Sequence, residues 1–145
     1  MRIETFTRLF RPKPENMRLT PQESSERIQM TTEVISLVQK QSDWEGFILE
    51  AYAFGSTVDG TAKKKSDFDL AVLTPGAGPA DPYSWGPLYT ALQNAQQQLG
   101  YTGFEIRPTL IPKKWLDDPS TIPDNYIPDD IDVLDDVIND GIKIL

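Results

Sequence analysis

The sequence predicts an α/β (α+β) fold in which helices pack on a small mixed β-sheet. Segments with helical spacing of apolar residues alternate with short apolar segments typical of buried strands, and glycine and proline separate them. The chain has 145 residues, of which 39% are hydrophobic. We therefore expect a basic N-terminal arm over residues 1–19 and a single domain with one core over residues 20–145.

The first helix is predicted over residues 20–41. Thr20 fits the N-cap, Pro21 the first helical position, and Glu23 the closing residue of a capping box. Its apolar residues recur at helical spacing and should face the core: Ile28, Val34, Ile35 and Val38.

Two strands should follow. Residues 46–54 are rich in apolar and aromatic side chains and end at Gly55, which predicts a buried strand. Residues 67–73 form a second apolar run after a lysine-bearing loop. Most of the candidate site residues lie at the ends of these two strands or in the loop between them.

The second half of the chain should contribute a loop over residues 75–82, a helix over 85–99 and a strand over 104–111. Gly100 stands where a helix C-cap glycine is expected. Pro108 lacks a backbone donor, so we expect its strand near a sheet edge.

A short helix is predicted near the C-terminal end. Ile131, Leu134 and Ile138 have helical spacing, and Gly141 should end the helix. Residues 142–145 should add a small strand. No internal repeat is evident in the sequence.

The composition limits the chemistry. The chain has no cysteine and no histidine, so thiolate sites, imidazole bases and ordinary zinc sites are excluded. Catalysis would depend on carboxylates, hydroxyls, lysine, arginine or a hard metal ion. Without an apolar run long enough for a membrane span, or a signal-peptide pattern, we expect a cytoplasmic protein.

Charge is unevenly distributed over a net −8. Residues 1–19 hold five basic and two acidic residues, whereas residues 117–140 hold nine aspartates and no lysine or arginine. The acidic segment would repel a nucleic-acid backbone and disfavours such a partner. The alternative is a solvated acidic face without a binding role.

Asp67 and Asp69 are the first candidate site residues. Side chains two apart on a strand share a face, so both carboxylates should project together, away from Phe68 and Leu70. Such a pair raises its own pKa unless a cation neutralises it, and Mg²⁺ prefers oxygen ligands of this kind. The alternative is that Ser66 and Asp67 cap a turn while Asp69 faces solvent.

The glycine and serine that end the preceding strand suggest phosphate binding. Gly55 allows close approach of a phosphate to the backbone, and Ser56 offers a hydroxyl donor. Lys65 is our candidate triphosphate contact from the lysine loop, and a merely solvated loop is the alternative. A Walker loop is excluded, because Thr61 and Ala62 stand where lysine and serine or threonine are required.

The stretch "FGSTVDGTAKKKSDFDLAVL" resembles the signature of the nucleotidyltransferase superfamily with the DNA polymerase beta-like fold, of the minimal nucleotidyltransferase type. A hydrophobic residue, Gly55 and Ser56 are followed by ten residues and then by Asp67-Phe68-Asp69. Gly60 also stands where minimal nucleotidyltransferases often have glycine. The predicted order of helices and strands is similar to the core of that family.

This resemblance implies a Mg²⁺-dependent transfer of a nucleoside monophosphate, with AMP from ATP as the expected group, to an acceptor hydroxyl. It implies that Asp67 and Asp69 bind two Mg²⁺ ions, while Gly55, Ser56 and Lys65 contact the nucleoside triphosphate. The family's third carboxylate is matched by position to Glu105, as metal ligand and proton acceptor, although aspartate is more usual there. Arg107 would share the face of Glu105.

The resemblance leaves the acceptor open. Minimal nucleotidyltransferases are similar to the antitoxins of toxin–antitoxin pairs, which implies a protein acceptor such as a HEPN-type toxin. A cationic small molecule of the aminoglycoside kind is a second acceptor class, and free RNA is disfavoured by charge. Outside enzymology, the alternatives are a non-catalytic binding module or antitoxin with this fold, and an unrelated α/β domain with coincidental motifs.

Overall fold

The computed structural model describes residues 16–78, 81–124 and 128–145. Five α-helices and four strands lie in these ranges, with short 3₁₀ turns at Ser42–Trp44 and Pro119–Thr121. In chain order they are α1 (Pro21–Gln39), β1 (Glu50–Phe54), α2 (Ser56–Asp59), β2 (Phe68–Thr74), α3 (Pro82–Leu99), β3 (Ile106–Pro112), α4 (Lys113–Asp117), α5 (Pro128–Asp140) and β4 (Ile142–Lys143).

The four strands form one mixed sheet in the order β3-β2-β1-β4. Strand β1 pairs antiparallel with β2 and β4, whereas β2 and β3 run parallel. The predicted fold class is confirmed. Pro108 lies on β3, which is an edge strand. Its missing N–H therefore removes no hydrogen bond from the centre of the sheet.

One face of the sheet holds the main core. Side chains alternate along each strand, so this face is formed by every second residue of β1, β2 and β3, and α1 and α3 cover it. The buried residues of this layer include Val34, Ile35, Val38, Ala51, Ala53, Phe68, Leu70, Val72, Leu88, Leu92, Ala95, Ile106 and Leu110.

The opposite face holds a smaller core. Phe54, Ala71 and Ile111 from the sheet pack with Trp115 of α4 and with Leu134 and Val137 of α5. Because Asp67 and Asp69 alternate with Phe68 and Leu70 of the main core, they belong to this second face. Helix α5 thus covers the sheet on the side of the carboxylates.

The predicted start of α1 is confirmed. Thr20 Oγ1 accepts a hydrogen bond from the Glu23 amide at 3.1 Å, and Glu23 Oε1 accepts one from the Thr20 amide at 3.0 Å. These two bonds satisfy amides that the helix cannot pair internally. At the end of α3, Gly100 has φ of +74° and forms the predicted left-handed cap.

The first strand is shorter than predicted. It begins at Glu50 instead of residue 46, because the preceding chain turns: Gly46 has φ of +74° and the Phe47 amide bonds to the Trp44 carbonyl at 3.1 Å. The Trp44 and Phe47 rings meet edge to face, with centroids 5.3 Å apart. Apolar content alone could not separate this aromatic turn from a strand.

The predicted C-terminal helix and strand are present as α5 and β4, with one change of face. Leu134 is buried, but its buried neighbour on the helix is Val137, whereas Ile138 is 48% exposed. Spacings of three and four residues both suit a helix, so the sequence did not decide between them. The side chain of Ile131, the third residue on which the helix prediction rested, lies outside the described side chains.

The end of the predicted arm is paired with the lysine loop. The Leu19 amide donates to the Ala62 carbonyl at 2.8 Å, and the Lys64 amide donates to the Met17 carbonyl at 3.0 Å. Residues 1–15 of the arm lie outside the described ranges. Among the helices of the described residues, none has the length and apolar character needed to cross a membrane.

Candidate active site

The two aspartates lie where β2 begins. Phe68 is the first residue of the strand and its amide donates to the Glu105 carbonyl at 2.7 Å, which joins β2 to the start of β3. Phe68 and Leu70 are fully buried, whereas Asp67 and Asp69 are half-buried on the opposite face. The strand therefore presents both carboxylates together.

The glycine turn lies directly against Asp69. Phe54 pairs with Asp69 in the β1–β2 register, so Gly55 follows at the same end of the sheet. Gly55 has φ of +78° and ψ of −150°, and a β-carbon built on it would lie 2.4 Å from Oδ2 of Asp69. Only glycine permits both this backbone conformation and this close approach.

A single helical turn, α2, follows Gly55 and begins with Ser56. The Ser56 carbonyl accepts the amides of Gly60, Thr61 and Ala62, each at 3.1 Å. Gly60 ends the turn with φ of +85°. These bonds hold the chain between the two halves of the motif close to the sheet, so Ser56 lies next to the turn that contacts Asp69.

The electrostatics of the carboxylate pair favour an added cation. Burial raises the pKa of Asp69, and the negative charge of Asp67 raises it further, while Arg107 acts in the opposite direction. Arg107 Nη1 lies 3.5 Å from Oδ2 of Asp67 in a partly exposed ion pair. A half-buried carboxylate beside a second one suits a divalent cation, so Asp67 and Asp69 fit the predicted metal ligands.

Glu105 lies one residue before β3. Because Phe68 pairs with Ile106 in the parallel register, the backbone of Glu105 lies beside that of Asp67, and Arg107 pairs with Asp69. The exposed Glu105 carboxylate accepts a hydrogen bond from the hydroxyl of Tyr89 on α3. Within the described ranges, no three acidic side chains are gathered closely enough to hold a metal ion. The role of Glu105 stays a prediction.

The lysine loop is held by several contacts. Ser66 Oγ accepts the Lys63 amide at 2.9 Å, so Ser66 caps a turn, and Lys64 Nζ lies 3.8 Å from Oε2 of Glu23. Lys65 is exposed in that turn. Its role as a triphosphate contact stays a prediction.

Helix α5 brings acidic residues beside Gly55. A pocket of about 280 Å³ is lined by Gly55, Val58, Asp59, Asp136 and Asp140. Two members of the aspartate-rich segment thus lie next to the glycine turn. The sequence showed the acidic segment but not its position, which depends on the packing of Leu134 and Val137.

Two further residues near the site had no signal in the sequence. Tyr89 of α3 donates a hydrogen bond to Glu105, and Arg27 of α1 donates hydrogen bonds to carbonyls in the loop before Asp67. Helical spacing predicted where both helices lie, but these contacts join residues 16 to 39 positions apart. Only the packing of the helices on the sheet brings them together.

A family model described as a nucleotidyltransferase domain matches residues 34–117. The matched range is more than half of the chain and includes the glycine turn, both aspartates and Glu105. A search of curated proteins gives no match. Proteins with this domain act on nucleotide substrates and typically use a divalent metal. The chain therefore belongs to the nucleotidyltransferase domain family and is a transferase of nucleotidyl groups.

Proposed function

We propose that the protein is a cytoplasmic, Mg²⁺-dependent nucleotidyltransferase of the minimal type, which transfers AMP from ATP to an acceptor hydroxyl. The observation that carries this proposal is the contact between the two halves of the motif. Gly55 packs against the Asp69 carboxylate, and Asp67 lies immediately before β2, two residues from Asp69. A phosphate held at the Gly55–Ser56 turn would therefore lie beside the carboxylate pair.

Asp67 and Asp69 would hold the metal, with two Mg²⁺ ions as the expected number. Bound Mg²⁺ neutralises charge on the triphosphate and on the attacking and leaving oxygens of an in-line displacement. The raised pKa of Asp69 supports this assignment, because its causes are burial and a neighbouring carboxylate. A bound cation would offset the cost of the buried charge and neutralise the repulsion between the two carboxylates.

The remaining residues would bind the substrate and move one proton. The Ser56 hydroxyl and the Gly55 turn hold the β- and γ-phosphates, and Lys65 adds a positive charge from the loop. The acceptor oxygen forms a bond to the α-phosphorus while the bond from that phosphorus to the bridging oxygen breaks, and pyrophosphate leaves. Glu105 accepts the proton of the acceptor hydroxyl, and its hydrogen bond from Tyr89 orients it.

We favour a protein hydroxyl as the acceptor, on a partner such as a HEPN-type toxin. The acidic surface of α5 beside the site suits a partner with basic groups, and it disfavours RNA or DNA. The similarity of the motif to minimal nucleotidyltransferases supports the same acceptor class.

A second candidate is transfer to a small cationic molecule. The pocket formed by Asp59, Asp136, Asp140 and their neighbours lies next to Gly55 and has room for part of a small molecule. Its carboxylates would attract amino groups, as an acceptor of the aminoglycoside kind requires. This candidate needs no protein partner and is separable by experiment.

The test uses ATP labelled at the α-phosphate, with Mg²⁺ and three separate acceptors: a co-purifying protein, an aminoglycoside and RNA. We expect label on the protein acceptor, release of pyrophosphate and no label with Asp69→Asn. Equal labelling by the Asp69→Asn variant would overturn the metal assignment. Mg²⁺-dependent ATP binding without release of pyrophosphate from ATP in the presence of any of the three acceptors would instead support a non-catalytic binding module.

A further inference from the structure

Arg27 connects α1 to the segment that leads into β2. Its Nη1 donates to the Ser66 carbonyl at 3.2 Å, and its Nη2 donates to the Lys64 carbonyl at 2.9 Å. Ser66 immediately precedes Asp67. One rigid guanidinium thus holds two carbonyls of the turn from which the first aspartate of the motif projects.

The same guanidinium also contacts the segment that leads into β3. Its central carbon lies 4.9 Å from the centre of the Phe104 ring, and Phe104 immediately precedes Glu105. Phe104 in turn contacts Phe68, the residue between the two aspartates, with ring centroids 6.2 Å apart. Arg27 therefore lies where the chain enters both carboxylate-bearing strands.

Arginine is suited to this position for a specific reason. The turn at residues 63–66 has its own bonds, from the Ser66 amide to the Lys63 carbonyl and from the Lys63 amide to Ser66 Oγ, both at 2.9 Å. These bonds leave the Lys64 and Ser66 carbonyls for Arg27. Lysine has a single nitrogen and cannot bond both carbonyls in the same planar arrangement or stack as well on Phe104.

We propose that Arg27 is a positioning residue for the carboxylate site: it fixes Asp67 relative to Asp69 and, through Phe104, the approach to Glu105. Its guanidinium is engaged by the Lys64 and Ser66 carbonyls and the Phe104 ring, so its effect on the site would pass through the carboxylates. This inference uses the metal-binding role of Asp67 and Asp69 from the proposed function, but it does not depend on the acceptor or on turnover.

The test compares Arg27→Met, Arg27→Lys and the control Glu23→Gln. The control removes the ion pair to Lys64 on the same loop, while glutamine can still close the capping box. Mn²⁺ binding to the nucleotide-free protein is measured by electron paramagnetic resonance. We expect about tenfold weaker binding for Arg27→Met, an intermediate loss for Arg27→Lys, and less than about twofold change for Glu23→Gln.

Two readouts separate positioning from a general loss of stability. Without metal, amide hydrogen exchange of the peptide that covers residues 63–68 should increase in Arg27→Met while exchange in β1 stays unchanged. In an Asp67→Asn background, Arg27→Met should weaken Mn²⁺ binding little further, because the ligand that it positions is already lost. Unchanged Mn²⁺ affinity in Arg27→Met, or an undiminished effect in the Asp67→Asn background, would overturn the inference.

Failure of the inference is distinct from failure of the proposed function. If the wild-type protein binds Mn²⁺ and Arg27→Met binds it weakly, but no acceptor is labelled, the inference stands and nucleotidyl transfer is wrong. If the wild-type protein transfers AMP and Arg27→Met binds Mn²⁺ normally, the inference alone is wrong. A wild-type protein that binds no Mn²⁺ overturns the inference directly.

Discussion

A β-carbon on Gly55 would lie 2.4 Å from Oδ2 of Asp69. The glycine–serine turn and the aspartate pair are therefore parts of one packed structure, with a side chain of the second filling the space left by the first. The separation of the glycine–serine turn from the carboxylates is set by this contact. A substitution of Gly55 should therefore also displace the Asp69 carboxylate.

Gly55→Ala should lose both stability and metal binding. The new methyl group meets the Asp69 carboxylate, and alanine strongly disfavours φ of +78° with ψ of −150°, which together cost about 1 to 3 kcal/mol or more. Asp69 must then move away from its position beside Asp67. Urea unfolding and Mn²⁺ titration measure the two effects.

Gly60→Ala is the matched control at the other end of α2. Gly60 also has positive φ, at +85°, but a β-carbon there meets nothing within 4 Å. We expect a loss of about 1 to 2 kcal/mol from backbone strain and unchanged Mn²⁺ affinity. Equal loss of Mn²⁺ affinity in both variants would show that the contact with Asp69 is not the cause.

Asp69→Asn should stabilise the metal-free protein at neutral pH while it abolishes metal binding. Burial, and then the charge of Asp67, raise the pKa of Asp69, so the folded state binds this proton more tightly than the unfolded chain. Stability from this group is fully present below the unfolded carboxyl pKa and is lost as the pH rises through the folded pKa. Asparagine does not ionise, so the variant should not lose this stability at neutral pH.

The measurement is the melting temperature of both proteins as a function of pH in a chelator. We expect Asp69→Asn to melt a few degrees higher at pH 7, about 2 to 4 °C per kcal/mol, and the difference to disappear as the pH falls below about 4. Glu23 and Glu50 have lowered pKa values, so the stability that they contribute is lost when acid protonates them. Both proteins contain these two residues, so the difference between their melting temperatures reports on Asp69. A lower melting temperature for Asp69→Asn at pH 7 would contradict this prediction.

Glu105→Gln should change the ionisation of Tyr89 as well as transfer. The hydrogen bond to Glu105 is the largest cause of the raised pKa of Tyr89, so this pKa should fall when glutamine replaces the carboxylate. Ultraviolet titration of the phenol measures it, with Tyr89→Phe as the reference that removes the signal. An unchanged titration in Glu105→Gln would exclude the hydrogen bond in solution.

The same variant tests Glu105 as the proton acceptor. Loss of a general base lowers transfer by about 100-fold or more, whereas Tyr89→Phe keeps the carboxylate and should lower transfer far less. Rates measured with saturating ATP and Mg²⁺ separate the two variants. Similar rates for Glu105→Gln and the wild type would assign the proton to another acceptor.

Thr20→Ala tests the start of α1. The substitution leaves the Glu23 amide without its Oγ1 partner and should destabilise the protein by about 1 kcal/mol in urea unfolding. Thr20→Ser keeps the hydroxyl and should lie within about 0.5 kcal/mol of the wild type. If serine destabilises as much as alanine, the methyl group and not the cap is responsible.

Local chemistry made much of the fold predictable. The capping box at Thr20, the glycine cap at Gly100 and the edge position of Pro108 each follow from the hydrogen-bonding or φ requirement of one residue. The start of β1 was not predictable in the same way. The Trp44–Phe47 contact and the positive φ of Gly46 convert an apolar run into a turn, and apolar content alone does not distinguish the two.

That Asp67 and Asp69 project to the same side could be predicted from the sequence, because side chains two residues apart share a face of an extended chain. The position of Gly55 and Ser56 after the preceding strand was predictable in the same way. Contacts between distant segments were decided by packing: Gly55 against Asp69, Arg27 on the Ser66 carbonyl, and Asp136 beside Gly55. The physical reason is the distance along the chain over which each interaction acts. Caps and alternation depend on neighbours within a few residues, whereas these contacts exist only once α1 and α5 have packed on opposite faces of the sheet.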